Sequence, residues 1–118
     1  MAAGYNVNRL IAAGTTNATL VSTRPGSVNG GCVSNVAAYA VFLKLYDSAT
    51  IPTAGAGTPK MTIGIPAGFC GDLGNFGAGP VSGVPFAAGI GFTITKLSAD
   101  NDTTVLVAGD AIVNLFYQ

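Results

Sequence analysis

Over residues 39–46 the chain alternates with a period of two. Tyr39, Val41, Leu43 and Leu45 fall on one side, and Ala40, Phe42, Lys44 and Tyr46 on the other. The first set is continuously apolar and should face a core. The second mixes aromatics with a charge, which suits a wet face or a partner surface. A helix would spread apolar residues around most of its cylinder and leave Lys44 with few polar neighbours. A second run, residues 60–65, sets Met61, Ile63 and Ile65 opposite Thr62 and Gly64. Pro59 and Pro66 bracket it, and each holds the preceding residue extended. Residues 49–59 between the runs have no periodicity and read as an exposed loop.

The same grammar runs through the rest of the chain. Residues 6–12 alternate Val7, Arg9 and Ile11 with Asn8, Leu10 and Ala12, a short first strand. Residues 18–23 form a second, and Arg24, Pro25 and Gly26 a turn. Residues 27–34 make a third strand, interrupted by Gly30 and Gly31, a pair that signals a bulge or a close backbone approach. Residues 68–80 carry five glycines and read as a long surface loop. Residues 81–86 contain Pro85, which restricts them to a sheet edge. Residues 91–97, 103–107 and 111–117 supply further strands, with a turn at Asp100, Asn101 and Asp102. About seven to nine short strands with no helical period predict one all-β domain over residues 1–118, an antiparallel β-sandwich, with a jelly roll among the arrangements allowed. Residues 1–5 read as a flexible N-terminal arm. Val41, Leu43, Leu45, Ile63, Ile65, Ile94 and Leu115 are the expected core.

Charge restricts the partners. Only 8% of the residues are charged, the formal net charge is zero, and there is no His, Glu or Trp. Phosphate binding draws on clustered Lys or Arg, which the chain lacks, so nucleic acid is not an expected partner. No apolar run reaches the length of a membrane-spanning helix, and no membrane partner is expected. A surface so poor in charge suits a protein that spends its life against other protein.

Chemistry is hard to assemble from these residues. The Asp residues stand in turn-like contexts, where a carboxylate bonds nearby backbone N–H groups. A cysteine nucleophile would lack its His base. Asp100, Asn101 and Asp102 read as a turn rather than a calcium loop, having no distal Glu. No enzyme activity, metal or cofactor is expected. Cys32 and Cys70 match no zinc spacing, and with no secretory signal evident they are expected to be reduced, free and buried. Phe42 and Tyr46 could stack on a sugar or pack against protein, and the enrichment of aromatics at interface centres favours protein. Tyr5, Phe42, Lys44, Tyr46, Phe69 and Phe76 are the candidate interface residues.

Four motifs occur in order: TNAT at residues 16–19, LKLYDSAT at 43–50, PKMTIGIPAG at 59–68, and FTIT…DNDTT…AGD-x-x-VN-x-x-Y across 92–117. In these the chain resembles a group of small tailed-bacteriophage virion structural proteins, from about Asn6 onward. The resemblance implies a β-sandwich on the particle, in a capsid decoration (cement) role on the head surface, assembled in the host cytoplasm. The major capsid protein is then the partner. A homo-oligomer is expected, with a trimer favoured by the threefold sites of icosahedral shells. The rival assignment is a tail or head-fibre component that binds a receptor or carbohydrate. The family pattern brings no catalytic motif.

Overall fold

The computed structural model describes residues 6–75 and 83–118. Nine strands account for its regular structure: β1 (Asn6–Ile11), β2 (Thr19–Ser22), β3 (Gly26–Asn35), β4 (Val41–Asp47), β5 (Met61–Ile65), β6 (Cys70–Asn75), β7 (Val84–Phe86), β8 (Ile90–Thr95) and β9 (Ala111–Tyr117). All pairings are antiparallel. Sheet A has the order β1-β9-β3-β6, with the short β7 beside the first part of β3. Sheet B has the order β2-β8-β4-β5.

This order is what a single long hairpin gives when it is rolled up. The β4–β5 hairpin is its tip; behind it β3 pairs with β6 and β7, β2 with β8, and β1 with β9. Rolling then inserts β9 between β1 and β3, and β8 between β2 and β4. The result is a jelly roll, two packed four-stranded layers with short β7 added to one of them. The run that begins at Val41 therefore sits at the fold's turning point and also in the middle of sheet B.

Period-two patterning decides which side chains close the core. Val28, Val33, Val113 and Leu115 from sheet A meet Val41, Leu43, Leu45, Ile65, Ile90, Phe92 and Ile94 from sheet B. Phe86 of β7 and Leu106 of the β8–β9 connection fill the remaining space. Of the expected core, only Ile63 is half-buried rather than buried, because β5 is the edge of sheet B. The glycine pair in β3 marks bulges, as expected: register shifts occur between Val28 and Gly30 against β9, and between Gly31 and Cys32 against β6.

Several expectations need correction. Residues 70–75, read as loop, form β6, because β3 supplies a ladder that a glycine-rich segment can join without patterning of its own. Residues 103–107, read as a strand, pair into neither sheet. The loop read as exposed over residues 49–59 has Pro52 buried beneath it. The proposed arm at residues 1–5 and residues 76–80 of the glycine-rich loop, Phe76 among them, lie outside the described residues.

Candidate functional site

Two sheet faces point away from the core, and they have different fates. On sheet B the outward residues are Phe42, Lys44 and Tyr46 of β4 and Gly91, Thr93 and Thr95 of β8, with Lys44 opposite Thr93 and Tyr46 opposite Gly91. Two long connections roof them. In the β4–β5 loop, Pro52 lies so close over Gly91 that a Cβ there would stand 2.8 Å from its ring. In the β8–β9 connection, the Ala99 carbonyl accepts a hydrogen bond from Lys44 Nζ at 2.5 Å. The two loops also meet each other: a Cβ on Gly55, which has φ +82°, would stand 2.8 Å from Thr103 Cγ2.

The roof corrects the expected interface. Lys44 is 0% exposed and Tyr46 is buried, so neither is available to a partner while the loops are in place. Phe42 is half-buried, with its ring edge beside Gly64 on the neighbouring strand. Phe69 is half-buried against the core. Tyr5 and Phe76 lie outside the described residues. The sequence could show that these outward residues share a face, but not that loops return over it.

The roof is fastened at identifiable points. The Asp47 carboxylate accepts from the backbone N–H groups of Ala88 at 2.8 Å and Ala87 at 3.0 Å, tying the end of β4 to the β7–β8 turn. Those N–H groups hold the Asp47 carboxyl below its ordinary pKa. Lys60 Nζ donates to the Pro85 carbonyl, lies 4.0 Å from Asp47 and sits 5.0 Å from the centre of the Phe86 ring. Tyr39 donates its hydroxyl to Asp110 at 2.5 Å and accepts from the Val107 N–H, with Lys96 over its ring. Burial, reinforced by Asp110, raises the Tyr39 pKa. Asp102 accepts from the hydroxyl of Thr104 at 2.6 Å and from the N–H of Leu97, the turn role its context suggested. Buried Asn35, which the sequence reading passed over, donates to the carbonyls of Tyr39, Ile65 and Pro66 and accepts from the Ala37 N–H.

Beside the roof lies an open cleft of about 670 Å³, lined by Tyr46, Asp47, Ile51, Pro52, Thr58 and Lys60 among others. Asp47 and Lys60 are already committed to backbone groups, so the cleft offers a ligand mainly the hydroxyls and carbonyls of a loop.

The outward face of sheet A carries no such roof among the described residues. Its rows follow from the register. Val7 stands beside Phe116 and Gly30; Arg9 beside Asn114, Cys32 and Asp72; Ile11 beside Ile112, Ser34 and Cys70. Val7 is 56% exposed and Ile11 50%. The face is uncharged at its centre, where β9 and β3 present Ile112, Asn114, Phe116, Cys32 and Ser34, with one cation on the β1 edge and one anion on the β6 edge.

Both cysteines belong to this face. They are free, as expected, but not buried: Cys32 is half-buried and Cys70 exposed. The register sets Cys70 opposite Ser34, with Sγ 3.2 Å from Oγ, and Cys32 opposite Asp72, so the two cysteines do not face one another.

No family model matches the chain, and neither a curated protein nor a solved structure matches it.

Proposed function

We propose that the protein is a non-enzymatic virion structural protein, a capsid decoration (cement) protein that binds the phage head shell and stabilises it. The observation that carries this reading is the placement of exposed apolar residues on both sides of a charge-poor sandwich. Val7 and Ile11 lie on the outer face of sheet A; Ile51 and Leu97 lie on the loops that roof sheet B, on the far side. A protein that bridges needs two adhesive sides, and exposed apolar groups of this kind mark interaction surfaces. The resemblance of the four motifs to tailed-phage virion proteins points the same way.

On this reading the work is mechanical. The protein binds the major capsid protein in its assembled lattice, from the outside of the head, as a homo-oligomer. Because it binds the assembled state in preference to free subunits, each occupied site stabilises the shell by mass action. The contact is mainly apolar, so it should persist in salt that screens exposed charges.

Sedimentation with purified empty heads tests this. The protein should pellet with the heads at both low and roughly molar salt, and the double variant Ile51→Ser, Leu97→Ser should pellet less. Wild-type protein that stays in the supernatant at both salts contradicts the reading.

The cleft beside Tyr46 favours a second reading, a tail or head-fibre component that recognises a receptor or a sugar. Saturable quenching of tyrosine fluorescence by a glycan, in protein that ignores empty heads, would support that alternative.

A further inference from the structure

We propose that the outer face of sheet A binds a second copy of the same face, forming a two-fold dimer. The argument lies in where its charges stand. Arg9 and Asp72 share one row across the sheet, Arg9 on edge strand β1 and Asp72 on edge strand β6, with Asn114 and Cys32 between them. Let two such faces meet about a two-fold axis parallel to the strands and running between β9 and β3. Each strand then faces its counterpart across the axis: β1 opposes β6 of the partner, and β9 opposes β3.

That operation sets Arg9 of each copy opposite Asp72 of the other, at both rims. Between them Asn114 opposes Cys32. In the next row Ile112 opposes Ser34, and Ile11 opposes Cys70. Phe116 opposes Gly30, which projects no side chain. The other in-plane two-fold, across the strands, would set Arg9 against Arg9 and Asp72 against Asp72 in the same row. Charge complementarity therefore selects one of the two possible face-to-face pairings, and an isologous contact must be self-complementary in this way. The charges stand on the two edge strands and the central strands carry none, and depletion of charge at the centre is the pattern of a protein interface.

The size of the face sets the strength to expect. Four strands about 4.8 Å apart, each about seven residues long at about 3.4 Å, give roughly 19 Å by 24 Å. That is at the small end of specific interfaces, so association should be weak in dilute solution. The pairing is two-fold, and it replaces the trimer that shell symmetry alone suggests. It does not rest on the shell reading: a monomer that still binds heads refutes self-association and leaves shell binding standing, and a dimer that ignores heads does the reverse.

Sedimentation equilibrium of the full chain, up to several hundred micromolar, provides the test. Wild type should form a reversible dimer. Arg9→Asp and Asp72→Arg should each weaken dimerisation at least about tenfold, because each puts like charges in opposition twice. Mixed in equal amounts, the two variants should form a heterodimer, since both contacts then pair Asp with Arg. Recovery on mixing also shows that both variants are folded. A wild-type monomer over this range, a trimer, or variants that dimerise as wild type does and gain nothing on mixing would each overturn the proposal.

Discussion

Lys44 Nζ reaches the Ala99 carbonyl at 2.5 Å, and this bond joins the central strand of sheet B to the connection that covers it. A fully buried lysine demands partners, since an unpaired charge away from water is costly. In the same connection burial raises the Asp102 pKa, but the bonds from Thr104 and Leu97, with a smaller contribution from the Lys44 charge, outweigh it and hold the carboxyl below its ordinary value. The roof is thus held from inside by a charged group.

Replacing Lys44 with Met keeps most of the volume and leaves the Ala99 carbonyl without its donor. The expected cost is about 1–3 kcal/mol in urea denaturation. Faster amide exchange should accompany it in the β8–β9 connection, while β9 remains protected. Unchanged stability and exchange would show that the roof does not depend on this bond.

Leu43 and Ile63 sit directly opposite one another on β4 and β5, but only Leu43 is fully buried. Leu43→Ala should cost about 2–5 kcal/mol, and Ile63→Ala clearly less, because β5 is the sheet edge and its side chain is half in water already. Equal losses in chemical denaturation would contradict the assigned core.

Asp47 gives a pH dependence with a defined sign. Its folded-state pKa is depressed, first by the Ala88 N–H and then by that of Ala87. Its contribution to stability is therefore fully present above the unfolded value of about 3.9, and is lost as pH falls through the lower folded value. Wild type should exceed Asp47→Asn in stability by a constant margin from neutrality to mildly acidic pH. The margin should shrink below about pH 4. Urea titrations of both proteins at several pH values would read this; a margin that widens in acid contradicts it.

The cysteines should both alkylate without reductant, Cys70 faster than Cys32 in the native protein, because Cys70 is exposed and Cys32 only half so. Peptide mapping after brief labelling distinguishes the two. Failure of either to label in unfolded, unreduced protein would contradict free thiols.

The sequence made the sandwich legible because alternation in residues 111–117 maps onto buried and half-buried sides, and alternation in residues 41–47 separates the core-facing residues from those on the opposite face. Proline and glycine also marked the turns well. It hid β6 because Gly71 and Gly74 carry no side chains to alternate. It hid the roof for a different reason. Period two tells which residues of β4 share a face, but the burial of Lys44 is decided by Ala99, far along the chain. Asn35 was silent because an asparagine near a strand end looks the same whether it bonds to solvent or to three carbonyls. The outer face of sheet A was legible only in part. Val7, Arg9 and Ile11 were correctly grouped, but their neighbours Cys32 and Asp72 come from strands that only the rolled topology brings alongside.

Electron microscopy of phage heads is the most direct test of the central claim that the protein is a structural component of the shell surface. Heads incubated with the protein, or native particles, should show sandwich-sized density repeating with the capsid lattice on the outside of the head. Bare heads, with density confined to the tail or fibres or absent altogether, would contradict it.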